Sequence, residues 1–392
     1  MLKKLSSITI FFFLFALCVN ASDLKLTSEK YILYNLDNNN ILEEQDSNDK
    51  TQIASLTKIM TTIVAIENIE DFDEKVTIKK EMLDGLTWDI AKIGFKVGEV
   101  YTYNDLLYAA ILPSAADAVN ALAISISGSY DKYLKLMNDK ANELGLVNTH
   151  YSNVIGLTDE NNYSSAYDIS KLLEYSLNNK KFREIFTTKS YTLTSGKTVK
   201  ATVSKYDDKY IIGSKTGYTS KAGRCLASIS DVNGAHLLMV TLNNYNKDAT
   251  YINETIETYK YYDENYSLKD IINKEDIITT INAKYSRNKT YNIKVDKEYY
   301  YYLENNFDKD GLIYDYSGLD EISAFDKKDK YLGTVKIYKG ERLLNEIDIK
   351  YDGSLKVNVF GIVFRIFYIL LIVVFIVFLV LLKFKKIKIK RV

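Results

Sequence analysis

A serine and a lysine stand three residues apart, at Ser55 and Lys58, in a stretch whose apolar residues recur at helical spacing. Residues i and i+3 of a helix share one face, so the lysine amine can lie beside the serine hydroxyl. A serine hydroxyl is a weak nucleophile until a neighbouring base takes its proton, and a neutral amine can be that base. The pair therefore predicts a serine that is activated without histidine and forms an acyl-enzyme.

Two further motifs follow along the chain, Ser114-Ala115-Ala116 and Lys215-Thr216-Gly217. A lysine also stands three residues after four other serines, but only Ser55 begins an apolar helix. The order and spacing of the three motifs therefore carry the assignment, rather than any one of them alone. Ser114 also fits a second role as the N-cap of a helix, with Asp117 completing a capping box.

The composition excludes several other classes of protein. The chain has 51 lysines and arginines and 51 aspartates and glutamates, so its net charge of zero offers no basic surface for nucleic acid. A zinc peptidase needs histidine ligands and a Ser-His-Asp hydrolase needs a histidine base. The two histidines, His150 and His236, stand in unrelated contexts. We therefore expect no metal, no cofactor and no nucleic-acid partner.

The N-terminal residues have the pattern of an export signal. Two lysines precede an apolar run over residues 8–19, which predicts a cleavable secretory signal over residues 1–21. Removal of this signal would leave Cys225 as the only cysteine, so we expect no intramolecular disulfide.

The C-terminal residues predict a membrane anchor. Residues 359–382 are apolar apart from Arg365 and are long enough to cross a bilayer as a helix. Basic residues dominate the tail over 383–392, and this charge favours a cytoplasmic C-terminus. We therefore expect a single-pass protein of a bacterial cell membrane, with its catalytic region on the extracellular face.

The region between signal and anchor has two parts with different patterns. Residues 22–262 mix strands and helices, whereas residues 266–357 contain short strands separated by turns. The first part is predicted to contain strands at 30–36 and 41–44, helices at 54–66, 102–112, 167–177 and 253–262, a helix from Ser114, and a hairpin of 224–230 with 235–242. The Lys215 segment is expected to be a strand beside that hairpin. The second part has no cluster of catalytic residue types, which favours a spacer or docking module.

Four stretches around the motifs resemble the D-alanyl-D-alanine carboxypeptidases of the low-molecular-mass penicillin-binding proteins, of peptidase S11 type. They are residues 54–61, 112–118, 163–168 and 215–223, and the resemblance extends over about residues 28–262. It implies an α+β fold: a penicillin-binding-protein/β-lactamase-like domain, with an antiparallel sheet and a helical subdomain, then a small β-rich domain and one C-terminal transmembrane helix. It also implies removal of the terminal D-alanine from peptidoglycan stem peptides ending in D-Ala-D-Ala, covalent inhibition by β-lactams, and a role in cell-wall biogenesis and cell shape.

The resemblance implies a role for each motif residue. Ser55 corresponds to the nucleophile, Lys58 to the general base, and Ser114 to a proton relay to the departing D-alanine. The residues that correspond to the substrate-binding site are Lys215, Thr216, Gly217 and Tyr218. Within that set, Lys215 and Thr216 hold the substrate carboxylate, and the backbone N–H groups of Ser55 and Tyr218 form the oxyanion hole. Repulsion from Lys215 is expected to lower the pKa of Lys58, as a base requires.

The chain departs from the family pattern at two places. The middle motif of the family ends in asparagine, whereas Ala116 cannot hydrogen-bond the base lysine or the substrate backbone. Losing one such bond typically costs about 1 to 3 kcal/mol, so we expect a slower or repositioned site in which water or Asn120 substitutes. The family also often supplies an arginine after the closing hairpin for the substrate carboxylate, and residues 242–262 contain none. The alternatives are Arg224, Lys221 and Lys247.

Two other functions are alternatives from the sequence. A β-lactamase-like hydrolase shares the nucleophile and the lysine but needs a second base for fast deacylation, and no convincing glutamate motif follows Ser114. A catalytically weakened penicillin-binding or peptidoglycan-sensing protein would account for Ala116. A pure binder, however, has no need of the nucleophile Ser55.

Overall fold

The computed structural model describes residues 26–206 and 209–389. The predicted signal peptide, residues 1–21, and the last three residues of the basic tail lie outside these ranges. The chain divides into two compact units, with the boundary between Ser267 and Leu268. Each unit has a hydrophobic core of its own.

The first unit is built on an antiparallel sheet. The strands of this unit are β1 (Lys30–Asn35), β2 (Asn40–Gln45), β3 (Lys75–Thr77), β4 (Val100–Thr102), β5 (Ser190–Thr192), β6 (Thr198–Lys200), β7 (Gly213–Thr219), β8 (Gly223–Val232) and β9 (Ala235–Asn244). The sheet has five of them in the order β2-β1-β9-β8-β7, and the short strands form the pairs β3-β4 and β5-β6. Both predicted strand pairs, β1-β2 and β8-β9, are confirmed. The Lys215-Thr216-Gly217 segment lies in β7, at an edge of the sheet.

Seven helices of the described residues surround this sheet. They are α1 (Thr57–Asn68), α2 (Tyr103–Ile111), α3 (Ala116–Ser127), α4 (Tyr130–Glu143), α5 (Ala166–Asn178), α6 (Lys180–Thr187) and α7 (Thr250–Asn265). The predicted capping box of α2 is confirmed by reciprocal hydrogen bonds between Thr102 and Asp105. The sequence did not reveal α4 and α6. In α4 only Tyr133, Met137 and Ala141 are buried, so its apolar stripe is too narrow to stand out.

Helix α1 is the central element of the helical part. The ten consecutive residues Thr57 to Ile66 are buried, and the helix contacts each of α2 to α6. Two hydrogen bonds hold Thr61 in this helix: its carbonyl accepts from the Tyr133 hydroxyl at 2.7 Å, and its own hydroxyl donates to the Val154 carbonyl at 2.7 Å. The N-terminal end of α1, which carries Lys58, is therefore fixed by packing on all sides.

Helix α3 starts later than predicted. Its N-cap is Ala115, and no side chain caps it. Ser114 instead has a φ of 64°, in the left-handed region, so its predicted capping box with Asp117 is wrong. The Asp117 carboxylate accepts hydrogen bonds from backbone N–H groups of a preceding loop, at Ile93, Gly94 and Phe95. These bonds tie that loop to the first turn of α3.

The second unit consists of small sheets. Its strands are β10 (Tyr266–Ile272), which begins just before the boundary, β11 (Thr279–Lys284), β12 (Thr290–Ile293), β13 (Tyr299–Glu304), β14 (Leu312–Gly318), β15 (Glu321–Ser323), β16 (Tyr331–Lys339) and β17 (Arg342–Lys350). They pair as β10-β13, β12-β11-β15 and β14-β16-β17. The predicted β-rich character is confirmed, although β10, β13, β14 and β15 were not foreseen.

A long helix, α8 (Val359–Ile389), follows the small sheets. Its first 25 residues, Val359–Lys383, are strongly apolar. In the described part of the chain, this helix alone is long and apolar enough to cross a membrane. The predicted span, residues 359–382, lies within it.

We predict that Tyr133→Phe destabilises the first unit by about 1 kcal/mol, because it removes a buried hydrogen bond to α1. Urea unfolding of the variant and the parent protein measures the difference. Tyr245→Phe is the matched control, since the Tyr245 hydroxyl also donates to a backbone carbonyl, that of Lys221, but its side chain is exposed. Equal losses in the two variants would contradict a special role for the Tyr133 bond.

Candidate active site

The structure brings Ser55 and Lys58 together as their spacing predicts. Ser55 lies in a short 3-10 turn, Ala54–Leu56, that continues directly into α1. The Lys58 Nζ atom lies 2.7 Å from the Ser55 Oγ atom. Ser55 is partly exposed, whereas Lys58 is buried.

The Lys58 amine lies in surroundings that disfavour its charged form. Burial lowers the pKa of Lys58 from 10.5 to about 7. Its second hydrogen-bond partner is the Ile155 carbonyl, at 2.7 Å. An amine with this pKa is neutral in much of the population at neutral pH, and a neutral amine can accept the hydroxyl proton of Ser55.

Ser114 and Lys215 form a second serine–lysine contact. The Lys215 Nζ atom donates to Ser114 Oγ at 2.8 Å and to the Thr216 carbonyl at 2.7 Å. Both side chains are buried. The backbone of Ser114 is in the left-handed region, a conformation that costs a non-glycine residue roughly 1–2 kcal/mol. Such backbone strain is often found where a side chain must point into a functional site.

Burial lowers the pKa of Lys215 well below its usual value, and the charge of Lys58 lowers it further. The expectation that repulsion from Lys215 lowers the pKa of Lys58 is therefore wrong. The low pKa of Lys58 follows from burial, while the like-charge effect acts on Lys215. Because the charge of Lys58 acts on Lys215, the two buried amines disfavour being charged together.

Two glycines allow the backbone to approach the Ser55 turn closely. A Cβ atom at Gly217 would lie 3.0 Å from the Ser55 nitrogen, and one at Gly156 would lie 2.0 Å from the Ala54 oxygen. Strand β7 and the loop that carries Ile155 therefore contact the Ser55 turn through bare backbone. Gly217 was predicted from its motif, whereas Gly156 was not.

Thr216 and Tyr218 lie at the open side of the site. Thr216 is partly exposed, and its hydroxyl lies 2.8 Å from that of Thr202. Tyr218 is 62% exposed. All seven residues predicted for the site lie in elements that meet around Ser55: the 3-10 turn with α1, the segment before α3, and β7.

A cavity of about 290 Å³ begins at Thr202, whose hydroxyl contacts that of Thr216, and has three basic residues and one acidic residue in its lining. It is lined by Thr202, Lys205, Tyr206, Arg224, Lys247, Asp248, Ala249, Tyr251 and Ile252. The Arg224 guanidinium donates to the carbonyls of Asn246 and Lys247 at 3.0 and 2.7 Å, and its carbon lies 5.0 Å from the centre of the Tyr218 ring. Of the three alternatives for a carboxylate anchor, Arg224 and Lys247 line this cavity.

Ala116 is fully buried, and its N–H donates to the Ala91 carbonyl at 2.8 Å. Within the described residues, the Lys58 amine is hydrogen-bonded to Ser55 and to the Ile155 carbonyl. Ile155, rather than Asn120, thus supplies the additional contact to the lysine. Sequence reasoning missed Ile155 because a backbone carbonyl acts independently of the residue type.

The described residues contain no group of three or more histidine, cysteine, aspartate or glutamate side chains that could hold a metal ion. His236 is hydrogen-bonded to Asp37, and His150 to the Asn161 carbonyl. Cys225 is buried, and burial raises the pKa of its thiol to about 12, so the thiol form dominates at neutral pH.

The chain is similar to curated proteins along most of its length. D-alanyl-D-alanine carboxypeptidase DacF of Bacillus subtilis is 26% identical over 350 residues, which cover 86% of this chain and 87% of that protein. The D-alanyl-D-alanine endopeptidase of Haemophilus influenzae is 30% identical over 224 residues, which cover 55% of this chain and 76% of that protein.

Solved structures share the fold. Penicillin-binding protein 5 of Haemophilus influenzae matches with a TM-score of 0.69 at 20% identity, over 84% of this chain and 98% of that one. This likeness confirms the predicted penicillin-binding-protein fold. The sequence profile of the D-alanyl-D-alanine carboxypeptidase family, peptidase S11, matches residues 18–246, more than half of the chain. These matched residues include Ser55 and the buried Lys58 beside it. The chain therefore belongs to the D-alanyl-D-alanine carboxypeptidase family of serine peptidases.

Proposed function

We propose that this protein is a serine-type D-alanyl-D-alanine carboxypeptidase. It removes the terminal D-alanine from peptidoglycan stem pentapeptides through a Ser55 acyl-enzyme, and β-lactams acylate the same serine. The observation that carries the proposal is the buried Lys58 amine, with a pKa of about 7, placed 2.7 Å from the Ser55 hydroxyl.

Acylation begins when the neutral amine of Lys58 takes the proton of Ser55 as the oxygen attacks the penultimate D-alanine carbonyl. The negative charge that develops on the carbonyl oxygen is stabilised by the backbone N–H groups of Ser55 and Tyr218. The close approach of Gly217 to the Ser55 nitrogen supports this pairing, because it brings β7 against the Ser55 turn.

The leaving D-alanine needs a proton on its nitrogen. Ser114 is suited to deliver it, since its hydroxyl lies 2.8 Å from Lys215 Nζ in a buried site. A bound substrate carboxylate would favour the charged form of Lys215, which burial otherwise disfavours. Substrate binding thus favours uptake of a proton from water by Lys215, and Ser114 relays this proton to the leaving nitrogen. In the second half of the reaction, water attacks the acyl carbonyl and gives up a proton through Ser114 to the now neutral Lys215. Ser55 leaves the acyl group and recovers its own proton from Lys58.

The carboxylate of the substrate is held by Lys215 and Thr216, with Arg224 as the third group. Arg224 is favoured over Lys221 and Lys247 because two carbonyls and an aromatic ring hold its guanidinium in one orientation. A pre-oriented guanidinium loses little freedom when it binds a carboxylate.

The enzyme domain is proposed to span residues 22–262 and the β-rich domain residues 266–357. Helix α8 anchors the protein in a bacterial cell membrane, with the catalytic domain on the extracellular face and the C-terminal residues 383–392 in the cytoplasm. A weakened sensor is less favoured because nucleophile and base lie at bonding distance. A β-lactamase-like hydrolase is less favoured because the relatives are named peptidases.

We predict that Ser55→Ala lowers release of D-alanine from a soluble pentapeptide ending in D-Ala-D-Ala by at least about 10³-fold. The same variant loses covalent labelling by fluorescent penicillin, since no nucleophile is left. Ser125→Ala is the control and keeps both activities, because its hydroxyl bonds only carbonyls of its own helix α3. Labelling without D-alanine release in the parent protein would favour the sensor instead.

The rate of acylation should depend on pH through Lys58. Below pH 7 the amine becomes protonated, so the second-order rate of penicillin labelling falls about tenfold per pH unit, and above pH 7 it levels off. Stopped-flow labelling between pH 5 and 9 measures the profile. The variant Lys132→Ala, at an exposed position of α4, should give the same curve. A rate that stays constant from pH 5 to 7 would rule out Lys58 as the base.

The role of Arg224 can be tested with two peptides that end in a D-Ala carboxylate or a D-Ala carboxamide. We expect Arg224→Ala to lower kcat/KM for the carboxylate peptide about tenfold or more, and to leave the carboxamide peptide unaffected. Arg224→Lys should recover part of the loss. If Arg224→Ala leaves the ratio of the two kcat/KM values unchanged, the anchor lies elsewhere, and Lys221→Ala and Lys247→Ala identify which lysine provides it.

A further inference from the structure

The second unit has a cleft at two strand edges. Strand β11 pairs with β12 at residues 279–282 and with β15 at residues 282–284, and β14 is bonded to β16 on one side. A cavity of about 470 Å³ lies beside the edges that these pairings leave open, within the range of about 300–1,000 Å³ that small-molecule sites occupy. It is lined by Ile278, Thr279, Thr280, Ile281, Asn282, Thr290, Tyr314, Tyr316 and Asp320.

Two tyrosine rings form one wall of this cleft, and both are held in place. Tyr314 and Tyr316 are two residues apart on β14, so their side chains lie on the same face about 7 Å apart. The Tyr314 hydroxyl donates to the Ile271 carbonyl at 2.5 Å, and the Tyr316 hydroxyl to the Leu332 carbonyl at 2.9 Å. The Tyr316 ring also covers Gly333, where a Cβ atom would lie 2.9 Å from the ring. Both rings are partly buried against the core of this unit, and the hydrogen bonds fix the orientation of the parts that remain exposed.

Apart from Ile278 and Ile281, the other lining residues are polar and almost uncharged. They supply hydroxyl, amide and carboxylate groups, and among the described residues that line the cleft there is no lysine or arginine. Lys309, whose charge reaches Tyr314, is already paired with Asp270 and Asp276. An anionic ligand would therefore meet Asp320 without a free cation, whereas the hydroxyl groups of a neutral ligand could donate to that carboxylate.

We propose that this cleft binds a neutral, hydroxyl-rich oligosaccharide. A pyranose ring stacks on Tyr314 or Tyr316, and its hydroxyls bond Asp320 and Asn282. The site is separate from Ser55 and does not depend on the proposed peptidase reaction. It gives the β-rich unit a function of its own, as a carbohydrate-binding module.

Isothermal titration of the full-length protein in detergent tests the proposal, with chitotetraose and cellotetraose as probes. The two sugars differ in their acetamido groups, so the comparison distinguishes an amino sugar from a plain glucan. We expect millimolar binding of at least one probe. Asp320→Asn should weaken it about tenfold, and Tyr316→Leu at least fivefold, while Tyr316→Phe keeps the ring and the binding.

Asp315→Asn is the matched control, because Asp315 stands between the two tyrosines on the opposite face of β14 and should leave the affinity unchanged. Thermal melting checks that each variant is folded. Asp320→Asn removes no packing, so it remains informative if Tyr316→Leu unfolds. Absence of binding by both sugars, equal loss in Asp315→Asn and Asp320→Asn, or binding of a stem peptide in place of sugar would overturn the proposal. Titration measures binding directly, so a failure of D-alanine release leaves the result unaffected.

Discussion

The Lys58 amine is held out of water against the Ser55 hydroxyl, and much of the first unit serves to keep it there. A pKa lowered from 10.5 to about 7 means that protonating this amine is about 5 kcal/mol less favourable than in water. Such a penalty requires that water be excluded around the whole side chain. Helix α1 provides this exclusion, because ten consecutive residues are buried and five other helices contact it.

The same burial imposes a steric constraint on the elements that complete the site. Strand β7 and the loop at Ile155 must reach the Ser55 turn while solvent stays excluded from Lys58. A side chain at position 156 or 217 would clash with the backbone of the Ser55 turn, and glycine at both positions avoids this clash. The backbone strain at Ser114 has a related origin, since the left-handed conformation lets its hydroxyl meet Lys215 before α3 begins.

The sequence predicted the features that depend on local patterns, and it failed for those that depend on distant residues or on backbone atoms. The Ser55–Lys58 contact follows from helical spacing, and the hairpin follows from Asn233-Gly234, so local patterns sufficed for both. The start of α3 was predicted wrongly, because Ser114 has the residue type of an N-cap but is taken by a contact with Lys215, about a hundred residues away. The Ile155 carbonyl had no signal in the sequence, since backbone atoms carry no residue identity.

The alanine at position 116 can be understood from the partners of the two lysines. Lys58 has Ser55 and the Ile155 carbonyl, and Lys215 has Ser114 and the Thr216 carbonyl, so each amine is bonded twice without an amide side chain. The alanine methyl is itself fully buried. The groups that hold the base in place are therefore left intact, and we propose that what the alanine removes is the contact that an asparagine would offer to the substrate. On this proposal the alanine weakens the orientation of the substrate, to which other contacts also contribute. It does not change the low pKa of Lys58, because burial alone produces that pKa.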